Sequence, residues 1–360
     1  VLNGGNCLGV RSLPGRYDTM FIPEHKLSYP DTQPTPLAVV AQSGAFAVAR
    51  ASKLSSLNPR YLVTLGNQLD LTVGDYLHAL KDDPDIQVFA CYVEGFRPRD
   101  GARWLDAAAE ITAGGRPVLL YRAGRTPAGQ VATASHTASI AGDYAVTRAL
   151  AEAAGVLVAD TLEDFDDLVR LFCLLGEKEV GGLGLGALSN AGFECVAMAD
   201  NLGPFSLPDF AGATRARLAE LLEQARIHDI VGVKNLLDLT PIVDDVGYEQ
   251  AVRCVLSDPG VDVGVIGVVP MTAALDTVPA GEGHDEDPRH EDSIVMRMAR
   301  LHAASRKPWV AVVDAGPLYD SMVGLLLERG VPTFRTADRA LRLFGRYCAW
   351  RRRHPVAPRG

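Results

Sequence analysis

Long apolar runs are missing from this sequence, because charged or polar residues interrupt each one well short of the roughly 20 residues that a membrane-spanning helix needs. Positive charge is also scarce: the net charge is −9, which argues against a surface for nucleic acid or anionic membranes, since both need clustered Lys and Arg. No secretory signal, Cys-x-x-Cys pair or Gly-Lys-Ser/Thr phosphate loop is visible. We therefore expect a cytoplasmic protein with no nucleic-acid partner and no membrane span.

The composition is that of an ordinary globular protein. Its 360 residues leave room for two or three domains, and 48% are hydrophobic while 22% are charged. The six cysteines are scattered, several of them within apolar runs, which favours reduced, buried thiols over a disulfide framework.

Short apolar runs alternate with helical periods from residue 37 onward, a pattern typical of an open parallel α/β sheet. Residues 1–36, rich in Gly, Pro, Asn and Asp, predict an irregular lead-in. The predicted strands cover residues 37–41, 61–65, 86–93, 117–121 and 156–158. The predicted helices cover residues 45–54, 73–81, 101–113, 142–154 and 162–174. Five strands with crossovers indicate a flavodoxin-like domain.

The second half of the sequence repeats the first. Residues 37–46 (LAVVAQSGAF) match residues 184–193 (GLGALSNAGF), and four later segments match in the same order. The predicted fold class is therefore α/β, with two tandem flavodoxin-like parallel-sheet domains. We place these domains at residues 37–175 and 180–348, and assign residues 349–360 to a basic tail.

The two copies differ most at the segment around His136. From Gly124 to Gly155 is 31 residues, whereas the matching stretch from Gly316 to Gly330 is 14, so copy one carries 17 extra. The insertion is rich in Gly, Ala, Ser and Thr and predicts a mobile loop. Glu94, at a predicted strand end, likewise has no acidic counterpart in copy two.

Each copy has a short turn of small residues between a strand and a helix, and such a turn can bind an anion through free N–H groups and the helix dipole. The alternative is an ordinary helix cap. Because the turns come as a pair that could hold one phosphate between two helix ends, we predict phosphate binding by six residues. These are Ser43, Gly44 and Ala45 in copy one and Asn190, Ala191 and Gly192 in copy two.

Residues 281–292 contain two His and many carboxylates, but a solvated acidic loop before a helix explains them better than a metal site, so no metal is predicted.

His136 could be an ordinary hydrogen-bonded histidine. Its place in an insertion without an apolar pattern favours a neutral imidazole nucleophile, with Glu94 as the carboxylate that fixes its tautomer.

An ordered set of short motifs resembles the NDP-forming acyl-CoA synthetases, relatives of succinyl-CoA synthetase and ADP-forming acetyl-CoA synthetase. The resemblance extends from residue 4 to about residue 344. The motifs are Asn-Gly-Gly-Asn-Cys-Leu-Gly at 3–9, Gln-Ser-Gly-Ala at 42–45, Gly-Asn-Gln-Leu-Asp at 66–70, Tyr-Val-Glu-Gly at 92–95, Ser-His-Thr at 135–137, Ser-Asn-Ala-Gly at 189–192 and Asn-Leu-Leu-Asp-Leu-Thr at 235–240. Gly5 and Ala138 depart mildly from the family pattern, which usually has Pro and Gly there.

The resemblance implies a reversible ligase that forms an acid–thiol bond through an acyl phosphate. In that family the histidine matching His136 is phosphorylated and then passes the phosphoryl group to ADP or GDP, and the glutamate matching Glu94 orients it. Asn6 and Cys7 would lie near the CoA thiol. CoA and the Mg²⁺-bound nucleotide are then substrates, and the partners expected are a homodimer mate or an ATP-grasp chain.

The family's CoA-binding and ATP-grasp domains have no counterpart here, so nucleotide would be bound by a domain or partner outside this chain, and residues 1–36 would be a lead-in from a CoA-binding domain. Two alternatives stay open. One is a transferase on the same scaffold that uses acyl or carbamoyl phosphate without ATP-grasp. The other is a non-catalytic module that senses CoA.

Overall fold

In the computed structural model, the described residues are 1–137, 143–176 and 178–355, with only the backbone described at 134–137. The chain divides into two compact units, which comprise residues 1–176 and 178–355 of the described chain. Among the described residues, no helix is both long and apolar enough to cross a membrane.

Unit 1 is built on a seven-stranded sheet with the order β2-β1-β4-β3-β5-β6-β7. Its five strands from β3 onward are parallel and follow the flavodoxin-like order, with the first strand between the second and the third. The strands are β1 (Val10–Ser12), β2 (Tyr17–Asp18), β3 (Thr35–Ala41), β4 (Pro59–Thr64), β5 (Val88–Val93), β6 (Val118–Arg122) and β7 (Leu157–Val158).

Six helices in the described part of unit 1 connect or follow these strands. They are α1 (Gly44–Lys53), α2 (Val73–Leu80), α3 (Asp100–Ala113), α4 (Pro127–Thr137), α5 (Tyr144–Ala153) and α6 (Leu162–Leu174). Apolar side chains of α2, α3 and α5 share one core with one face of the sheet. Those of α1 and α6 meet the opposite face, where Ala47 and Phe165 lie beside Val39. Both faces of the parallel strands are therefore covered, which explains their nearly continuous apolar runs.

Local polar residues fix where several helices begin. The Oγ1 of Thr72 accepts from the Asp75 N–H, and the Asp75 carboxylate accepts from the Thr72 N–H, which is a complete capping box for α2. Thr161 caps α6 in the same way through the Asp164 N–H at 3.0 Å.

The lead-in segment is more regular than the sequence indicates. Strand β1 pairs antiparallel with β4 and with β2, and so extends the edge of the first sheet. The Thr64 hydroxyl, at the end of β4, accepts from the N–H groups of Leu8 and Gly9 at 2.9 Å each. Residues of the lead-in thus lie against the same sheet end as the predicted site.

Unit 2 has a five-stranded parallel sheet with the order β12-β11-β10-β8-β9, which is the same flavodoxin-like order. Its strands are β8 (Leu185–Ser189), β9 (Leu237–Asp238), β10 (Val263–Val268), β11 (Trp309–Val313) and β12 (Thr333–Phe334). Its α-helices are α7 (Gly192–Asp200), α8 (Gly212–Gln224), α9 (Asp245–Ser257), α10 (Ile294–Ala304), α11 (Asp320–Glu328) and α12 (Ala337–Arg353). The predicted fold class, α/β with two tandem flavodoxin-like parallel sheets, is confirmed.

Two expectations from sequence are corrected. Residues 349–353, assigned to a basic tail, are the last turn of α12, because Trp350 and Arg351 are buried and the Arg351 guanidinium lies over the rings of Tyr347 and Trp350. The insertion of copy one, predicted as a loop, is helical over Pro127–Thr137. Alanine, one of the small residues on which the loop prediction depends, is also a strong helix former.

Candidate active site

The predicted site residues of unit 1 lie at the carboxyl ends of the parallel strands. The turn at residues 42–45 follows β3, and Glu94 is the first residue after β5, the strand next to β3. Ligands of open α/β sheets bind at this edge, because loops diverge there on either side of the first strand.

A buried amide joins these two strand ends. The Gln42 side chain is buried, and its Oε1 accepts from the backbone N–H of Glu94 at 2.7 Å and of Gly95 at 3.1 Å. The Gln42 backbone N–H also donates to the carbonyl of Tyr92 at 3.0 Å. The start of the phosphate-type turn and Glu94 therefore form one rigid piece of backbone.

The N-terminus of α1 offers N–H groups at this edge. Ser43 is the N-cap, and its Oγ accepts from the Phe46 N–H at 3.2 Å. The N–H groups of Gly44 and Ala45 have no hydrogen-bond partner within the described residues. A Cβ at Gly44 would lie 2.6 Å from the Leu8 Cβ, so only glycine allows the lead-in to pack here.

Glu94 is half-buried and has fixed neighbours on both its side chain and its backbone. The Tyr92 hydroxyl donates to its Oε1 at 3.0 Å. The Arg122 Nη1 donates to its backbone carbonyl at 2.5 Å. Burial lowers the pKa of Arg122, while the nearby Glu94 charge acts in the opposite direction.

Asn6 and Cys7 lie at the carboxyl end of β4. This strand pairs with β3 on the side away from β5. The Asn67 N–H, just after β4, donates to the Gly5 carbonyl at 2.8 Å, which fixes the segment. Asn6 is exposed and the Cys7 thiol is half-buried, 3.8 Å from the Asn3 carbonyl. The structure thus brings these two residues to the same sheet edge as residues 42–45 and Glu94.

His136 falls within α4, but its side chain lies outside the described residues, as do residues 138–142. Helix α4 follows β6, so its backbone starts from the same edge of the sheet. The Arg125 Nη1, just before α4, donates to the Asp160 carbonyl at 3.3 Å.

The second predicted turn, in unit 2, uses its residues differently. The Asn190 amide donates to the Val269 carbonyl at 2.9 Å and accepts from the Val269 N–H at 2.8 Å. Ala191 is the N-cap of α7 and makes no side-chain cap, and Gly192 is the first helical residue. Asn190 is therefore a structural brace, while the N–H of Gly192 has no partner within the described residues.

A buried acid that sequence reasoning missed lies beside this turn. Glu194 is 1% exposed, and the Ser189 hydroxyl lies 2.5 Å from its Oε2. Burial raises the pKa of Glu194 to about 7, and Asp314 adds to that effect. No local sequence pattern predicts that Glu194 is buried, because an acid in the first turn of a helix usually faces solvent.

Tyr92 was also missed, although the sequence held the signal. Residues two apart on a strand project from the same face, so a tyrosine two positions before Glu94 is well placed to reach its carboxylate.

The braces correct the repeat alignment by one residue. Gln42 and Asn190 both directly follow their strand and both bind the first residue after the neighbouring strand, Glu94 or Val269. Gln42 therefore matches Asn190 rather than Ser189. Val269 takes the position of Glu94, so unit 2 still lacks an acid there.

No group of side chains that could hold a metal ion occurs among the described residues. The loop at residues 281–292 is organised by protein contacts, because the Glu286 carboxylate accepts from the N–H groups of Thr277 and Val278 at 2.8 and 3.2 Å.

Comparison with known proteins agrees with the flavodoxin-like fold. A family model described as the succinyl-CoA ligase-like flavodoxin domain matches residues 34–172. The alpha subunit of ADP-forming acetate–CoA ligase I from Pyrococcus furiosus is 28% identical over 365 residues, which span 98% of this chain and 71% of that subunit. The alpha subunit of ligase II from the same organism is 28% identical over 341 residues, which span 93% of this chain and 68% of that subunit.

Our chain is homologous to the ADP-forming acyl-CoA synthetases. The resemblance predicted from short motifs is thereby confirmed, and residues 34–172 form a succinyl-CoA ligase-like flavodoxin domain. The homologues are named as ligases that join an acid to CoA, which is the formation of a carbon–sulfur bond.

A solved relative extends the likeness to the whole chain. Acetyl-coenzyme A synthetase 1 of Candidatus Korarchaeum cryptofilum, in complex with phosphate and ADP, superposes with a TM-score of 0.77 at 25% identity. The match covers 99% of this chain and 73% of that one. Both flavodoxin-like units therefore belong to the shared architecture of this synthetase.

Proposed function

We propose that this chain is the phosphoryl-transfer core of an NDP-forming acyl-CoA synthetase. Inorganic phosphate attacks the thioester carbonyl of acyl-CoA, which breaks the carbon–sulfur bond and gives acyl phosphate and CoA. The His136 imidazole then attacks phosphorus and releases the carboxylic acid. Phosphohistidine finally passes its phosphoryl group to NDP, and each step is reversible.

The observation that carries this proposal is the link between Gln42 and Glu94. It ties the backbone of Glu94 to the residue that precedes the N-cap of α1, and the first two N–H groups of that helix lack partners within the described residues. A carboxylate on one imidazole nitrogen fixes the tautomer that leaves the other nitrogen free as nucleophile, and it stabilises the cationic ring that forms. Preorganised N–H groups stabilise phosphate charge at the same edge.

The remaining assignments follow from the same proposal. Gly44 and Ala45 would bind phosphate through backbone N–H groups, with Ser43 as their cap. Gly192 would do so at the N-terminus of α7, with Asn190 as the brace behind it. Ala191 would shape the turn, because its own N–H donates to the Ser189 hydroxyl at 3.2 Å. Asn6 and Cys7, at the carboxyl end of β4, would lie near the thiol end of CoA.

The nucleotide is assigned to a domain or partner chain outside this sequence. Two homologues are alpha subunits by name, which supports a partner chain of ATP-grasp type, and a homodimer is the other assembly that we propose. We further propose that the protein acts in the cytoplasm and that Mg²⁺ accompanies the nucleotide as part of that substrate.

Covalent labelling tests the proposal. The full chain is incubated with ³²P-labelled acetyl phosphate, and bound label is measured after acid and after base treatment. We expect acid-labile, base-stable label that disappears in His136→Ala. The matched control is His25→Ala, since His25 is an exposed histidine of the same unit.

Equal label in His136→Ala and the parent protein would contradict the assignment of the nucleophile. Absence of label in the parent with acetyl, propionyl and butyryl phosphate, and with ATP plus an ATP-grasp partner, would contradict the function. Phosphate release from carbamoyl phosphate without any protein label would favour the transferase alternative instead.

A further inference from the structure

Tyr92 belongs to the motif at residues 92–95 but has no role in the proposed mechanism, and its hydroxyl contacts the Glu94 side chain. The Tyr92 hydroxyl lies 3.0 Å from Glu94 Oε1. Two other contacts hold Glu94, but both reach its backbone: Gln42 accepts from its N–H and Arg122 donates to its carbonyl. Within the described residues, the hydrogen bond to the Glu94 carboxylate comes from Tyr92.

The Tyr92 ring is itself held in place by a stack of aromatic side chains. Phe46, in the first turn of α1, stacks on it with ring centroids 4.1 Å apart and planes at 24°. Tyr121 lies parallel to it at 6.0 Å, because Tyr92 and Tyr121 are paired neighbours on β5 and β6. Phe165 of α6 supports Phe46 edge-on at 5.5 Å. A ring packed against two other aromatic rings keeps its hydroxyl at one position at little further cost in entropy.

The direction of this hydrogen bond follows from the environment. Burial raises the pKa of Tyr92, and the neighbouring Glu94 charge raises it further, so the phenol keeps its proton near neutral pH. An ionised carboxylate is acceptor-only, so Tyr92 is the donor. Hydrogen bonds from a hydroxyl to a carboxylate are among the stronger ones in proteins, and they stabilise the charged form of the acid.

We propose that Tyr92 is a positioning residue, whose hydroxyl orients the Glu94 carboxylate for the histidine step. This inference rests on the proposed function. Tyr92 does not touch the reacting atoms: Gln42 and Arg122 fix where the Glu94 backbone lies, and Tyr92 fixes where its carboxylate points.

Other titratable groups near Glu94 are few in the described part of the structure. Tyr121 stands next to Tyr92 in the stack, Arg122 contacts the Glu94 backbone, and Tyr144 of α5 lies close to Arg122. Helix α1 contributes the Phe46 ring at this place. Tyr121 therefore provides a matched control, since it lies in the same stack without a described hydrogen bond to Glu94.

The experiment compares Tyr92→Phe with Tyr121→Phe in the full chain. Tyr92→Phe keeps the ring stack and removes the donor. We expect the saturating rate of histidine labelling to fall about 10-fold or more with little change in KM, since misplaced catalytic groups cost one to two orders of magnitude. Tyr121→Phe should leave both unchanged.

Two measurements separate positioning from a general structural effect. In a Glu94→Gln background, Tyr92→Phe should cause no further loss of rate, because the pair acts as one unit. A loss equal to that in the parent background would overturn the proposal. Thermal unfolding of each variant checks that the fold is kept.

A final measurement needs no turnover. ¹³C NMR of protein labelled at the glutamate carboxyl carbons, with the Glu94 signal assigned by Glu94→Gln, reports the surroundings of this carboxylate directly. We expect Tyr92→Phe to shift the Glu94 carboxyl signal and Tyr121→Phe to leave it in place, because only Tyr92 has a described hydrogen bond to it. An unchanged signal in Tyr92→Phe overturns the role of Tyr92 even if labelling succeeds. A shifted signal in a protein that takes no label supports the contact and rejects only the proposed function.

Discussion

Units 1 and 2 share one fold but carry different kinds of side chain at two matching positions. Phe46 and Glu194 are each the third residue of the helix that follows the first strand, and Tyr92 and Gly267 are each the last but one of the neighbouring strand. In unit 1 the two aromatic rings stack at 4.1 Å. In unit 2 a Cβ at Gly267 would clash with the Glu194 carboxylate, so the acid fills the space that a side chain would occupy.

The difference shows how a repeated fold can keep its frame and change its site. The amide brace is retained in both units, as Gln42 or Asn190, because it holds two strand ends together. The acidic residue, in contrast, occupies a different position in each unit. In unit 1 it is Glu94, half-buried at the strand end and bound by a tyrosine, and in unit 2 it is Glu194, buried beneath the turn. An accessible acid suits catalysis, and a buried one adds pH-dependent stability.

The largest effect on stability is expected from removing the brace itself. Gln42→Ala leaves two N–H groups without an acceptor, and Asn190→Ala frees one N–H and one carbonyl. Each should lower the free energy of unfolding by about 2 to 4 kcal/mol, measured by urea denaturation. The control is Gln87→Ala, whose amide bond to the Pro84 carbonyl is solvent-exposed. Loss in one unit alone would break the equivalence of the two braces.

The buried acid should give unit 2 a pH dependence that unit 1 lacks at the matching position. The pKa of Glu194 is about 7 in the folded state against an ordinary value of 4.5, so its stabilising contribution is complete below the lower value and is lost as pH rises through the higher one.

Glu194→Gln tests this expectation, because the amide cannot ionise. The parent protein should lose about 2 kcal/mol of unfolding free energy relative to Glu194→Gln between pH 5 and pH 8.5. Urea denaturation at several pH values measures the difference, with Glu282→Gln as the control at an exposed carboxylate. Parallel stability curves for the parent and Glu194→Gln would show that burial of this acid has no such effect.

The smallest effect concerns the two helix caps. Ser43 caps α1 through the Phe46 N–H, whereas Ala191 offers α7 no side-chain cap. Ser43→Ala should cost about 1 kcal/mol of unfolding free energy, and Ala191→Ser should gain up to that amount. Thermal and urea unfolding check both. If Ala191→Ser destabilises the protein, the space beside Ser189 and Glu194 does not admit a hydroxyl.

Much of the fold could be predicted because periodicity and caps are local. The strands and helices predicted for the first copy all occur, with ends that shift by a few residues, and the internal repeat predicted the second sheet. Helix α8 was missed, since its amphipathic pattern has no counterpart in the first copy. The helical backbone of α4 was missed because small residues were interpreted as a loop signal.

The sequence by itself determined the alternation of strands and helices in the first copy, the internal repeat, and two residues that have no counterpart in the second copy, Glu94 and His136. These are properties of patterns along the chain, and no three-dimensional information is needed to see them. Only the tertiary structure decided which residues meet: that Gln42 binds Glu94 from 52 positions away, that Asn190 and not Ser189 is its counterpart, and that Glu194 is buried. The reason is physical, because parallel pairing brings distant strand ends together, and burial depends on what packs above a residue.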